Sequence, residues 1–201
     1  MTTVDTTSDQ RVFTPTGIDL GDLALHPWGR GTEVRGGAVP ALVAAAADPL
    51  IALWNPLRTA DEAAAEAYLD RCGAGWENGT VAAFAVLDSA DATLLGNVAL
   101  RWTGRADGLA MIGYWLLPAA RGRGAATRAV RSVTRWGIDT AAARRIEIAH
   151  AVDNHASCRV AERCGYPAEG TLRASYRFGD GRYHDEHLHA RLATDPDPAA
   201  G

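Results

Sequence analysis

The 201-residue chain contains no lysine, and all twenty of its basic residues are arginine. That one-sided usage reads as coding bias rather than function. Long apolar runs are also missing: none approaches the ~20 residues that a bilayer-spanning helix requires, which excludes a membrane protein of that kind. The first residues show no basic stretch followed by an apolar one, so no secretory signal is visible and a cytoplasmic location is the default expectation. The formal charge of −4 excludes a general nucleic-acid binder, which would carry a basic surplus. Cysteine is scarce. Cys72, Cys158 and Cys164 are odd in number and lack metal-site spacing, so they read as reduced, partly buried thiols. A cysteine nucleophile has no evident partner in the sequence.

What is present suits one soluble domain. Hydrophobic residues make up 47% and charged residues 22%, ordinary values for a globular protein, and the length allows a self-sufficient core. Residues 1–17, rich in Thr, Ser and Asp, read as a disordered or frayed tail, and residues 193–201 as a flexible one. The domain is expected over residues 18–192. Within it, Ile18 to Trp28 reads as a first strand ending near Pro27. Pro40 to Ala47 reads as a short helix closed by Asp48-Pro49. Leu50 to Leu57 reads as a loop with Trp54 as an aromatic anchor. A helix capped by Thr59 or Asp61 is expected to stop before Gly73. Val81–Leu87 and Thr93–Trp102 read as a hairpin, and a turn through Gly104 to Gly108 leads into the next strand.

The stretch from Leu109 to Ala126 organises the chain. Leu109–Leu117 is apolar and aromatic, as a buried strand should be, and Pro118 suits its exit because it cannot donate to a ladder. From Ala126 onward, Val130, Val133 and Gly137 share a helical face. Between strand and helix lies Arg121-Gly122-Arg123-Gly124-Ala125-Ala126. Small residues there let backbone N–H groups converge, and the helix N-terminus adds roughly half a positive charge, so the turn fits a phosphate or pyrophosphate. Arg121 and Arg123 could add charge-assisted bonds to that anion. Glycine-rich strand-to-helix turns also bind nucleotides, and that alternative stays open on these residues alone.

Arg121-x-x-Gly124-x-Ala126 resembles the acyl-CoA pyrophosphate signature, Gln/Arg-x-x-Gly-x-Gly/Ala, of the GNAT superfamily of N-acetyltransferases. Leu116-Leu117-Pro118 resembles that family's splayed strand, whose backbone pairs with pantetheine. Further on, Asn154-x-x-Ser157-x-x-x-x-Glu162-x-x-Gly165-Tyr166 is similar to a motif of the family's ribosomal-protein N-terminal acetyltransferase branch. Read from the residues, Asn154 is a good N-cap and Gly165 a natural residue just past a helix end. The resemblance implies more. Leu116, Leu117, Arg121, Gly122, Arg123, Gly124, Ala125, Ala126, Asn154 and Ser157 would bind acetyl-CoA, with Ser157 hydrogen-bonding the departing thiolate. Many relatives use a tyrosine seven residues after the asparagine for that task. Here that position is Ala161. The branch's candidate base, a glutamate nineteen residues after the serine, is replaced by Tyr176. A phenol with an ordinary pKa near 10 is a poor base at neutral pH. Tyr176 is carried as a catalytic candidate by position, beside Glu62, Asp185 and Glu186 as alternative bases. Trp54 and Trp76 are candidates for the acceptor wall.

Arg145–His150 reads as a strand joined to its predecessor by a parallel crossover. After a strand at Ala168–Arg173 and a turn at Gly179-Asp180-Gly181, His184–Leu192 reads as the last strand. It carries His184, Asp185, Glu186, His187 and His189. Alternation sends some of these to opposite faces, and the strand reads as solvated or hydrogen-bonded, with no metal site assigned. The resemblance implies an α/β (α+β) GNAT fold, a mixed and mostly antiparallel sheet flanked by helices, and acetyl-CoA as co-substrate with no metal cofactor. It further implies direct transfer of an acetyl group to a primary amine, either a protein N-terminus or a small amine. A catalytically idle acyl-CoA sensor is the alternative. A homodimer is an expectation of the family and not of any residue.

Overall fold

A computed structural model describes residues 14–198. Eight strands form one sheet in the order β1-β2-β3-β4-β5-β6-β8-β7. In chain order they are β1 (Ile18–Asp19), β2 (Leu23–Pro27), β3 (Val81–Asp88), β4 (Leu94–Gly104), β5 (Leu109–Leu116), β6 (Arg145–Ala151), β7 (Ala168–Arg177) and β8 (Tyr183–Leu192). Every neighbouring pair is antiparallel except β5 with β6. Three helices, α1 (Ala38–Ala46), α2 (Pro49–Trp54) and α3 (Glu62–Glu77), precede β3. Helix α4 (Ala125–Asp139) joins β5 to β6, and α5 (His155–Arg163) joins β6 to β7. This is the mixed, mostly antiparallel sheet with flanking helices that the sequence resemblance implied.

The sheet is buried on both faces at its centre, and β3 shows why its sequence is almost wholly apolar. Ala82, Phe84 and Val86 join a core that includes Val130 and Val133 of α4 and Ala161 of α5. Ala83, Ala85 and Leu87 point the other way, to Leu42 of α1, Ile51 of α2 and Leu69 of α3. A period of two on a strand covered from both sides gives a continuous hydrophobic run. The helical face expected from Val130, Val133 and Gly137 is buried on the first of these cores.

Several boundaries differ from the sequence reading. The single first strand is a pair, β1 and β2, joined by a tight turn. Helix α1 begins at Ala38, because Pro40 still lies in the first turn, where no N–H is needed for an intrahelical bond. The segment read as a loop after Asp48 is α2. Asp48 accepts from the N–H groups of Leu50 and Ile51 at 3.1 and 3.0 Å, and Pro49 occupies the first turn. Asp-Pro is thus a helix start here and not a helix end. Asp61, not Thr59, caps α3; the buried Thr59 hydroxyl donates to Leu42 O at 3.0 Å. Helix α3 runs through Gly73 and Gly75, where packing on β3 overrides glycine's poor propensity. Trp76, a candidate for the acceptor wall, is instead 1% exposed. It packs edge-on against Phe84 and Trp136 and donates its indole N–H to Ala83 O.

The segment after Leu192, read as a flexible tail, makes specific contacts as far as it is described. Ala193 N–H donates to Arg144 O at 2.9 Å, and Asp197 accepts from Arg191 at 2.7 Å. Of the expected N-terminal tail, residues 1–13 lie outside the described residues. No helix among the described residues is long and apolar enough to cross a membrane.

One glycine sets how closely β4 and β5 approach. A Cβ on Gly96 would lie 2.3 Å from Trp115 O and 2.6 Å from Leu116 Cδ2, so Gly96→Val must push β5 away at the end where it leaves the sheet. The substitution is expected to destabilise the protein by about 1–3 kcal/mol or more. Gly73 provides the opposite case: it lies mid-helix, and a Cβ added there would meet nothing within 4 Å. Gly73→Ala is expected to stabilise by about 0.5–1 kcal/mol. Urea denaturation of the two variants checks both signs, and equal midpoints for them would contradict the packing described.

Candidate functional site

Strands β5 and β6 pair only over Leu109↔Arg145, Ala110↔Ile146 and Met111↔Glu147. Beyond that they diverge, while β5 stays paired with β4 through Leu116↔Gly96. The opening between them widens into a cleft of about 740 Å³ whose walls include Ile112 to Leu116 on one side and Ile148 to Ala151 on the other. The backbone edge that β5 turns to this opening is only partly used. Tyr114 O accepts from the Asn55 side-chain amide at 2.8 Å, and Leu116 O accepts from Arg121 Nε at 3.0 Å. In a strand a residue's N–H and C=O lie on one edge, so the N–H groups of Tyr114 and Leu116 face the cleft as donors.

At one end the cleft meets the N-terminus of α4. Gly122 and Gly124 hold φ of 74° and 75°, the left-handed region that side chains with a Cβ seldom adopt. Gly124 caps the helix, whose first backbone bond runs from Arg128 N–H to Gly124 O. The N–H groups of Ala125, Ala126 and Thr127 therefore have no intrahelical partner and carry the positive end of the helix dipole. Gly122, Gly124, Ala125 and Ala126 all border the cleft.

The arginines behave differently from the sequence expectation. Arg121 is turned inward, donating to Asp48 Oδ1 at 2.6 Å as well as to Leu116 O. Its charge is matched by a carboxylate that also caps α2, so it fastens the loop to that helix instead of standing free for an anion. Burial opposes ionisation of Asp48, but Arg121 and the Ile51 and Leu50 N–H groups outweigh it and hold the carboxyl below its ordinary value. Arg123 lies exposed on the loop, outside the cleft wall. Leu117 is likewise outside: its N–H donates to Leu95 O, and its side chain packs on the α1–α3 core. Arg121 nonetheless borders the cleft, as do two arginines that the sequence reading passed over, Arg159 and Arg163 of α5. Their signal was a spacing of four on the polar face of an amphipathic helix.

The middle of the cleft holds Asn154 and Ser157. Asn154 caps α5, its Oδ1 accepting from Ser157 N–H at 3.2 Å, which leaves its amide N–H₂ free to donate. Ser157 Oγ lies 2.6 Å from the Tyr114 hydroxyl, and that hydroxyl also reaches Ser157 O at 3.2 Å. Burial pushes the Tyr114 phenol well above its ordinary pKa, so it stays protonated and can donate. When it donates to Oγ, the serine's own proton is free to point into the cleft. Tyr114 is the residue that sequence reasoning missed. The family pattern points to a tyrosine along α5, at Ala161, yet the phenol comes from the facing strand, and only the fold brings it to Ser157.

The far end is walled by Trp54 and Asn55 of α2 and by Tyr176, Phe178 and Glu186 of the β7–β8 hairpin. Phe178 packs edge-on against both Trp54 and Tyr176, at 5.6 and 5.0 Å between ring centres. The hairpin turn is seated on α2 through Gly179 N–H, which donates to Leu53 O at 2.9 Å. Tyr176 is half exposed. Of the three candidate acids, only Glu186 faces the cleft; it accepts from the Ser175 hydroxyl. Asp185 instead accepts from Ala174 N–H at 2.8 Å, and Glu62 stands in the first turn of α3, outside the cleft wall.

Comparison with known proteins agrees with this geometry. Residues 33–167 match the family described as "Acetyltransferase (GNAT) domain". The ribosomal-protein-serine acetyltransferase of Escherichia coli (strain K12) is 35% identical over 83 residues, which is 41% of this chain and 46% of that protein. The matched region thus spans about half of that curated relative's length. Among solved structures, the ribosomal-protein-S5-alanine acetyltransferase from Vibrio fischeri superposes with a TM-score of 0.78 at 19% identity, covering 91% of this chain and 100% of that one. The microcin C7 self-immunity acetyltransferase MccE, solved in complex with acetyl-CoA and AMP, gives 0.75 at 20% identity, covering 90% and 98%. At such identities the structural likeness speaks for the fold, and the family match rests on the sequence. With two thirds of its length matched to that family and the splayed strands in place, the chain belongs to the GNAT acetyltransferase domain family.

Proposed function

We propose that this protein transfers an acetyl group from acetyl-CoA to a primary amine, by direct attack within a ternary complex. The carrying observation is that one cleft joins three things. These are a helix N-terminus ringed by small residues, a strand edge with unused N–H donors, and a serine hydroxyl 2.6 Å from a buried tyrosine. The pyrophosphate would rest on the N–H groups of Gly122 to Ala126, and Arg159 and Arg163 supply cationic partners for the remaining phosphate charge. The pantetheine arm would lie in the splay, bonded to the free edge of β5 and to the Asn154 amide.

In the reaction the amine lone pair attacks the thioester carbonyl carbon, and the carbonyl oxygen takes up negative charge. A β5 N–H, at Leu116 or Tyr114, stabilises that charge. The C–S bond then breaks with its electron pair going to sulfur. Ser157, polarised by Tyr114, donates a hydrogen bond to the departing thiolate and passes it a proton that the serine regains from cleft water. The amine proton leaves through water to Glu186, which takes the place of the base the Tyr176 position lacks. Tyr176, with Trp54 and Phe178, forms the surface on which the acceptor is held, and holding both reactants in line supplies much of the barrier reduction. The acceptor is an α-amino group at a polypeptide N-terminus or a small amine. The serine and alanine acceptors in the relatives' names favour the first.

Acceptor-dependent release of CoA from acetyl-CoA, followed by thiol detection over a panel of N-terminal peptides and small amines, tests the reading. Turnover on at least one acceptor is expected. Binding without turnover on any of them would mark an acyl-CoA-binding domain instead. Ser157→Ala is expected to lower kcat by about a hundredfold, with the KM for acetyl-CoA changed little. Tyr114→Phe, which leaves the serine in place, should cost about tenfold. A Ser157→Ala enzyme as fast as the parent would remove the proton-donor role. Gly124→Asp places a carboxylate where the pyrophosphate would sit, and aspartate both tolerates left-handed backbone and caps helices well. It should abolish saturation by acetyl-CoA while shifting Tm by no more than a few degrees.

A further inference from the structure

Where β6 pairs with β8, beside the wall of the cleft, three imidazoles and a thiol face one another. His150 on β6 is the direct partner of His187 on β8. His189, two residues further along β8, shares the face of His187. Above them α5 brings in Cys158, one residue past Ser157. One ligand atom from each of these four side chains lies within 4.8 Å of all the others. Cys158 Sγ is 3.9 Å from His189 Nε2. The rings of His150 and His189 are stacked at 5.2 Å, and that of His187 stands edge-on to His150 at 5.6 Å.

The hydrogen bonds around the cluster orient its nitrogens. His150 Nδ1 lies 2.9 Å from Ala151 O, and His189 Nδ1 lies 3.0 Å from Tyr166 O. A carbonyl can only accept, so both rings carry a proton on Nδ1 and turn Nε2 into the cluster. His150 Nε2 is buried and has no hydrogen-bond partner, in a residue only 4% exposed. A buried polar nitrogen without a partner is costly in a packed interior. An N–H to backbone-carbonyl bond behind the ring is also the arrangement that fixes an imidazole for metal ligation.

We propose that His150, His187, His189 and Cys158 bind a single divalent transition-metal ion of the zinc class. Three imidazoles and one thiolate form a borderline-soft, four-donor set suited to tetrahedral zinc. Donor atoms in such a site stand roughly 3.3–3.5 Å apart, given Zn–N near 2.0 Å and Zn–S near 2.3 Å, so the widest separations must contract by about 1.3 Å. The Cys158 thiol, 3.7 Å from Glu162, loses its proton on ligation. The ion would tie the first turn of α5, which carries Ser157, to β6 and β8. The sequence concealed this set because only two of its members, His187 and His189, belong to the histidine-rich strand; the other two are 29 residues or more away along the chain.

Untagged full-length protein, stripped with a chelator and dialysed, would be titrated with Co²⁺ as the optical probe and then with Zn²⁺. The expected result is one equivalent of Co²⁺ bound, with a thiolate-to-cobalt charge-transfer band and the strong visible absorption of a tetrahedral site, both bleached by one equivalent of Zn²⁺. Cys158→Ala should abolish the charge-transfer band. His187→Ala, at a half-buried position that the fold tolerates, should weaken Zn²⁺ binding by at least about tenfold. At a fixed zinc concentration, zinc should also raise the Tm of the parent by more than that of either variant. A parent protein that shows no charge-transfer band would overturn the proposal, as would Zn²⁺ binding equal in the parent and both variants. None of these readouts requires acetyl transfer, so the metal site stands or falls independently of the proposed reaction.

Discussion

The structure depends on the point at which β5 and β6 stop pairing. After three residue pairs the two parallel strands part, and a sheet that is otherwise continuous opens along its own hydrogen-bonding edge. Unpaired strand edges are costly inside a protein, because each buried N–H and C=O must find a partner. Here the carbonyls are partly met by Asn55 and Arg121, and the N–H groups remain available. The gap is held open by what is packed around it. Gly96 lets β4 follow β5 closely on one side, and α4 and α5 cover the other face. The Asp48–Arg121 pair pins the phosphate-type loop to α2. A defect in the ladder thus becomes a linear site in which a long, polar ligand can take the place of the missing strand.

The same geometry divides the chemistry. In the proposed reaction, charge would be met at the α4 end by backbone dipoles, which need no side-chain reorganisation, with Arg159 and Arg163 beside them. The proposed reacting centre would fall midway, where Ser157 enters from α5 and Tyr114 from β5. The acceptor end is aromatic and built from α2 and the β7–β8 hairpin, elements distant in sequence and joined through Gly179 and Phe178. On the proposed reading, phosphate recognition would belong to one short stretch, while the acceptor surface would be assembled from separate pieces. That arrangement explains why the donor of this chain is easier to read than its acceptor.

Legibility in the sequence follows the same division. The central strand, the glycine turn, the α4 face and the Asn154 cap are local features, set by periodicity, glycine conformation and side-chain capping, and the structure has all four. Arg121 eludes a sequence reading because sequence shows a charge but not its partner; Asp48 lies 73 residues away. Trp76 cannot be told from a binding tryptophan until its burial is known. Asp48-Pro49 carries the right residues for a helix start but reads as a stop, since the short helix that follows has too few turns to show a period. Tyr114 with Ser157, and His150 with Cys158, are pairs made by strand order and helix packing. No spacing rule reaches them.

Calorimetric titration of the purified protein with acetyl-CoA, with ATP and NAD as controls, tests the central claim most directly. The account predicts saturable one-to-one binding of acetyl-CoA in the micromolar range and no comparable heat from either nucleotide. Equal binding of ATP or NAD, or no binding of acetyl-CoA, would mean that the opening between β5 and β6 is not an acyl-CoA site.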